Sequence, residues 1–292
     1  MNMERVSVVR SGANVEAAVR RSVELLGGTG LKGSEHVLVK PNVCNAKNPG
    51  GMVLTDFRVI KSVIDLIREE GCRATVVESN NIAGTAESRV KGSGLMALLD
   101  EWDVPFMNLS HGDYEEHQVA GATLSIPRAV LDADYLVNLP KMKTCAHTIL
   151  TLGVKNLYGI FQQAQKSRYH KRLDAILPYL AKTVRCDLVI VDGLTCMEGN
   201  GPIVGNPVCL DIVVAGRNVV AVDSICSRIM GYDPSDVLHI AEAARQGAGP
   251  TGLEEIETVG DDWASCVHRF EPPYSLKATL KSLRAIKDVY LG

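Results

Sequence analysis

The chain has 292 residues, 46% hydrophobic and 22% charged, so it can bury a large core without a disulfide or metal and is too apolar to be disordered. Its 31 basic and 34 acidic residues give a net charge of −3 with no run of like charge, which argues against a nucleic-acid partner. The first ten residues hold only a short apolar run and no later run approaches the ~18 residues of a membrane span, so a cytoplasmic protein without signal peptide or membrane contact is expected, with its eight cysteines reduced.

Short apolar runs alternate with amphipathic segments, the pattern of βαβ units. Val6 to Val9 reads as a first strand, and Asn14 as the cap of a helix through Leu26, closed by Gly27-Gly28. Val37 to Val39 is a second strand, ending at Lys40-Pro41-Asn42. Asp56 opens a helix with Val59, Ile60, Val63, Ile64 and Ile67 at helical spacing, closed by Gly71. Ala74 to Val77 is a third strand, Thr85 to Leu99 a helix, and Val104 to Leu109 a fourth strand. Glu116 to Ile126 alternates polar and apolar, as in an antiparallel or edge strand of a small insertion. Tyr135 to Asn138 is a buried strand running into a Lys141-Met142-Lys143 loop. Helices are expected over Ile149 to Phe161 and Lys171 to Val184. Strands follow at Leu188 to Val191, Val208 to Val214 and Val219 to Val222. Helices from Asp223 to Met230, Pro234 to Gln246 and Ser275 to Tyr290 complete the chain. The fold class is therefore α/β: a mostly parallel sheet with helices on both faces, as one domain or two intimate subdomains, with a small antiparallel insertion.

In open parallel sheets, ligands bind outside the carboxyl ends of the strands. Lys40, Asn42, Glu78, Asn80, Lys141, Lys143 and Asp192 each follow an apolar run, so they should share one rim. Lys40, Lys141, Lys143 and Lys155 would crowd cations there, which calls for an anionic ligand carrying carboxylate or phosphate. A desolvated lysine among other cations can also act as a base or amine nucleophile. Glu198-Gly199-Asn200-Gly201-Pro202 is a glycine-dependent loop whose backbone N–H groups could cradle an anion. No P-loop and no G-x-G-x-x-G between a strand and a helix is present, so a nucleotide site is not supported. An unperturbed histidine suits proton transfer, which makes His170, in Ser167-Arg168-Tyr169-His170, and His147 candidates for that role.

No two cysteines are spaced as C-x-x-C, which excludes zinc-ribbon and bacterial ferredoxin patterns. Cys44, Cys145 and Cys196 nevertheless fall one in each of the three rim loops, and three thiolates there could ligate a metal or an iron–sulfur cluster with an open iron site. Coincidental loop thiols are the alternative.

Val39-Lys40-Pro41-Asn42, Asn138 to Thr144, Val154 to Gly159, Arg168-Tyr169-His170, Val191-Asp192-Gly193, Met197 to Pro202 and Ala221-Val222-Asp223 together resemble the DUF362 family, over roughly Val37 to Gly247. The resemblance implies a functional site and an association with iron–sulfur chemistry, but no substrate. Family members usually read Lys-Thr-His where this chain has Lys143-Thr144-Cys145; either His147 takes the histidine's role or Cys145 is a ligand. The ferredoxin-like segment of many relatives is missing, so a cluster would be held by the core domain.

The resulting expectation is an enzyme for a small anionic substrate. Lys40, Asn42, Lys141, Lys155, Asn156 and Asn200 would bind the substrate, and His170, Asp192, Lys143 and Glu198 would carry catalysis. An iron–sulfur cluster on Cys44, Cys145 and Cys196 would act in redox, with an electron-transfer partner, or as a Lewis acid. The alternatives are a metal-free acid–base isomerase, racemase or lyase, and a non-catalytic module binding an anionic metabolite or metal. The oligomeric state is open.

Overall fold

The computed structural model of the chain describes residues 3–275. The strands are β1 (Glu4–Arg10), β2 (His36–Pro41), β3 (Arg73–Glu78), β4 (Phe106–Asn108), β5 (Tyr114–Val119), β6 (Ala122–Pro127), β7 (Tyr135–Leu139), β8 (Lys141–Cys145), β9 (Ile149–Thr151), β10 (Leu188–Glu198), β11 (Asn206–Gly216) and β12 (Ile256–Gly260). The helices are α1 (Val15–Glu24), α2 (Phe57–Glu69), α3 (Ala86–Gly92), α4 (Leu95–Glu101), α5 (Arg128–Leu131), α6 (Gly153–Leu157), α7 (Leu173–Thr183), α8 (Val219–Ile229) and α9 (Leu238–Arg245).

The main sheet runs in the order β12-β1-β11-β10-β7-β2-β3-β4. Every neighbouring pair is parallel except those made by β11, which is antiparallel to both β1 and β10. Side chains alternate between the two faces, and each face meets its own helical layer. Val37, Val39, Val76, Val137 and Ile190 pack with α1 to α4, whereas Leu38, Val77, Leu136, Val189 and Val191 pack with α6 to α9. The α/β sandwich expected from the sequence is present, and the insertion is the two-stranded antiparallel β5–β6 hairpin. The helix starts have the expected caps: the Asn14 side chain accepts from the Ala17 N–H and Asp56 from the Arg58 N–H.

Several segments differ from expectation, each for a local reason. Gly94, at a φ of 87°, splits the 85–99 helix into α3 and α4. Lys141 to Lys143 is strand, not loop, because β8 continues from β7 past Pro140 and pairs with the long strand β10. Ile149 to Thr151 leaves the expected helix to pair with β8, and only Gly153–Leu157 is α-helical before a single 3-10 turn. Val219 to Val222 is the start of α8. Its β-branched run reads as strand, but the Asn218 side chain accepts the Val220 and Ala221 N–H groups, and a helix buried on all sides needs no polar stripe. β10 extends to Glu198, so Asp192 and Cys196 sit inside a strand. β12 carries only a weak apolar pattern and was not anticipated. The helix expected from Ser275 to Tyr290 lies outside the described residues.

Lys141 and Asp192 form an ion pair at 2.8 Å, and both side chains are fully buried. Asp192 also accepts the backbone N–H groups of Asp56 and Leu194, at 2.7 and 3.0 Å. The pair ties β8, β10 and the start of α2 together. Removing one partner strands a buried charge, so Lys141→Met is expected to cost about 3–5 kcal/mol in urea denaturation. A loss below about 1 kcal/mol would show that the pair is dispensable.

Candidate functional site

The carboxyl ends of β2, β3 and β8, together with α6 and the 158–170 segment, enclose a cavity of about 220 Å³. Most catalogued small-molecule pockets are larger, at ~300–1,000 Å³, so the space suits a small metabolite. Lys40, Asn42, Cys44, Lys143, Cys145, Lys155, Asn156 and His170 all line it. The fold therefore gathers eight of the residues named from the sequence in one place.

Its lysines fall into two groups. Lys40 is neutralised: its ammonium donates to Glu78 Oε1 at 2.8 Å and to the Pro41 carbonyl at 2.9 Å, with Asn156 Oδ1 at 3.4 Å. Glu78 is shared with the buried Arg89 guanidinium at 3.4 Å. Gly159 permits this arrangement, since a Cβ there would lie 2.8 Å from the Lys40 ammonium. Lys143, Lys155 and Lys166 form the second group, and no carboxylate lies within ion-pair distance of them among the described residues. Lys143 donates to Asn42 Oδ1 at 2.9 Å, the Val53 carbonyl at 2.8 Å, the Pro202 carbonyl at 3.3 Å and the Cys44 sulfur at 3.6 Å. Lys166 donates to Ser79 Oγ and the Asn80 carbonyl. The Lys155 ammonium lies 4.3 Å from the centre of the Tyr158 ring and has no hydrogen-bond acceptor among the described residues.

An amide relay sets these groups. Asn42 Nδ2 donates to Asn156 Oδ1 at 3.1 Å, Asn156 Nδ2 to Asn138 Oδ1 at 2.7 Å, and Asn138 Nδ2 to the Gly153 carbonyl at 3.0 Å. The buried Asp223 carboxylate accepts the Gly153 and Val154 N–H groups at 2.7 and 2.8 Å, which fixes the turn that presents Lys155 and Asn156. Burial outweighs those two bonds and pushes Asp223 up to about 7.

Burial lowers the Lys166 ammonium to about 7; the Glu78 charge opposes the shift, and the nearby cations Arg89, Lys40 and Lys155 add to it. Burial also lowers Lys155, with Lys143 and Lys40 pushing the same way and the Cys145 thiol opposing. For Cys145, burial works upward, but hydrogen bonding to His147 and the charge of Lys155 outweigh it and bring the thiol down to about 6. His170 is held at about 4 by burial, with His147 and Lys155 adding to the effect, so its ring is neutral at pH 7. The two histidine rings lie 4.0 Å apart, centre to centre. The cavity thus presents a thiolate, a neutral imidazole and, in Lys166, an ammonium brought down to about 7, a set suited to proton transfer and nucleophilic attack.

Other expected site residues lie elsewhere. Lys141 and Asp192 pair with each other in the interior and do not line the cavity. Glu198 Oε2 accepts from the Glu271 N–H and Asn200 Oδ1 from the Tyr274 N–H, so both engage the 271–274 segment and neither lines the cavity. Cys196 is fully buried among apolar side chains, away from Cys44 and Cys145, because β10 continues through it as regular strand. Among the described residues no group of three His, Cys, Asp or Glu side chains is placed to hold a metal ion. Of the three cysteines, Cys44 and Cys145 line the cavity and Cys196 does not. Sequence reasoning missed Lys166, Ser79 and Tyr158. Lys166 sits two residues before Arg168-Tyr169-His170, and that proximity was the available signal.

Residues 37–228 match the family described as "Domain of unknown function (DUF362)". A thylakoid-associated protein of Synechocystis sp. is 31% identical over 281 residues, spanning 89% of this chain and 87% of its own. The lactate racemase apoprotein structure from Thermoanaerobacterium thermosaccharolyticum aligns over 79% of this chain and 57% of that one, with 14% identity and a TM-score of 0.45. No described helix is long and apolar enough to cross a membrane. The chain belongs to the DUF362 family.

The Cys145 environment predicts that iodoacetamide alkylation of this residue has a pH midpoint near 6 rather than the ~8.5 of a free thiol. Lys155→Met should move that midpoint upward. A midpoint above 8 in the unmodified protein, followed by peptide mapping, would refute the assignment.

Proposed function

We propose that this member of the DUF362 family is an enzyme that binds a small carboxylate- or phosphate-bearing metabolite in the lysine-lined cavity and transforms it by acid–base chemistry. The reading rests on one observation: Lys143, Lys155 and Lys166 face a common cavity of about 220 Å³, and among the described residues none of them has a carboxylate within ion-pair distance, because Glu78 in the cavity wall is taken by Lys40 and Arg89. Cations gathered with so little solvent raise each other's energy, and an anion entering among them relieves that cost. Lys143 and Lys166, already oriented by neutral oxygens, would hold the anionic end of the substrate. Cys145 and His170 would move protons at the reacting end, and the Asn42–Asn156–Asn138 relay would keep the surrounding polar groups in place. This is the chemistry of an isomerase, racemase or lyase.

Two expectations test it. Inorganic phosphate or pyruvate at millimolar concentration should raise the melting temperature of the protein, and Lys143→Ala should abolish the shift. Binding should also weaken as pH rises through about 7, where Lys166 loses its proton. In that range the folded protein releases a proton that the ligand requires, so an affinity independent of pH from 6 to 9 would count against the assignment. Absence of stabilisation by any small anion would remove the reading altogether.

A further inference from the structure

The five lysines of this region are not equivalent. Lys40 and Lys141 are neutralised by Glu78 and Asp192. Lys143 and Lys166 are anchored to fixed oxygens. Lys155 alone among them has a nitrogen with no hydrogen-bond acceptor among the described residues, while lining the cavity. A nucleophilic lysine is activated by desolvation and by neighbouring cations, and a nitrogen held by no acceptor is free to turn toward a substrate carbonyl. The surroundings complete the requirement. The Tyr158 ring, 4.3 Å away, supports the cationic form without occupying a lone pair or an N–H, and Cys145 and His170 lie along the same wall.

We propose that Lys155 is the nucleophile that condenses with the carbonyl carbon of a small anionic 2-oxo acid or aldehyde, forming a protonated imine, while Lys143 and Lys166 hold the carboxylate or phosphate. The proposal rests on the anion-binding reading above and names the substrate class for the same cavity. The step balances without any co-reactant. The Lys155 ammonium gives one proton to the Cys145 thiolate, and the amine lone pair forms the C–N bond as the carbonyl π bond opens onto oxygen. A second proton passes from nitrogen to that oxygen. Cys145 returns its proton as the C–O bond breaks, and water leaves. An ammonium and a carbonyl thus become an iminium and one water. The iminium then acts as an electron sink for loss of a proton or carboxyl group from the adjacent carbon. Burial first, with Lys143 and Lys40 adding to it, lowers the Lys155 ammonium and eases release of its proton.

Glyoxylate is small enough for the cavity and carries both an aldehyde and a carboxylate, so it serves as the probe. The unmodified full chain is incubated with glyoxylate and sodium cyanoborohydride at pH 7, digested and mapped by mass spectrometry. The expected result is a reduced adduct on Lys155 at least tenfold more abundant than on any exposed lysine, and suppressed by excess inorganic phosphate. Lys155→Arg, with an unchanged melting temperature, should lose the adduct and keep the phosphate-induced stabilisation. An unmodified Lys155 beside labelled surface lysines, in a protein that phosphate still stabilises, overturns the imine and leaves the anion site standing. A protein that phosphate does not stabilise and whose Lys155 is unlabelled overturns both.

Discussion

A lysine ammonium taken out of water costs several kcal/mol unless something nearby answers its charge. This chain buries Lys40, Lys141, Lys143 and Lys166 to 6% exposure or less and places Lys155 beside them. The site follows from how each of these charges is answered. Glu78 and Asp192 answer two of them inside the protein, and those two pairs knit strand ends together. The remaining cations have neutral oxygens, an aromatic face and an empty space in front of them. The first pairs tie neighbouring strands together; the second group explains why the cavity should attract an anion.

Rigidity and reactivity are coupled through the polypeptide path. β8 continues from β7 across Pro140 and carries Lys141 and Lys143 on the same strand, two residues apart, yet they have opposite fates. Lys141 meets Asp192 on β10, whereas Lys143 reaches Asn42 and the Val53 carbonyl and borders the cavity. The short β8–β9 hairpin then turns the chain back, with Thr151 opposite Lys143 and Ile149 opposite Cys145. α6 follows at once, its first N–H groups seized by Asp223, so Lys155 and Asn156 are delivered to the same cavity. Asn156 bridges to Lys40 and Asn42 and closes the circuit.

Much of this was legible in the sequence and some was not. Lys40 and Asn42, read as following an apolar run, do meet Lys143 at one cavity, since polar residues at carboxyl strand ends converge in an α/β fold. The same rule misjudged Lys141 and Asp192, because it assumes that charged residues mark the end of a strand, and a buried ion pair lets the strand run on through them. Cys196 was misplaced for that reason: its loop is the second half of β10. Val219 to Val222 misled through β propensity, which the Asn218 cap and complete burial overrode. Lys166 had only its nearness to Arg168-Tyr169-His170 to mark it, because its contacts are with Ser79 and Asn80, nearly ninety residues earlier in the chain.

The central claim is that uncompensated buried cations make this cavity an anion site, and anomalous diffraction from selenate-soaked crystals tests it most directly. The account predicts an ordered selenium peak inside the cavity, within hydrogen-bonding distance of at least two of Lys143, Lys155 and Lys166. Selenate ordered only on the outer surface, with water alone inside the cavity, would contradict it.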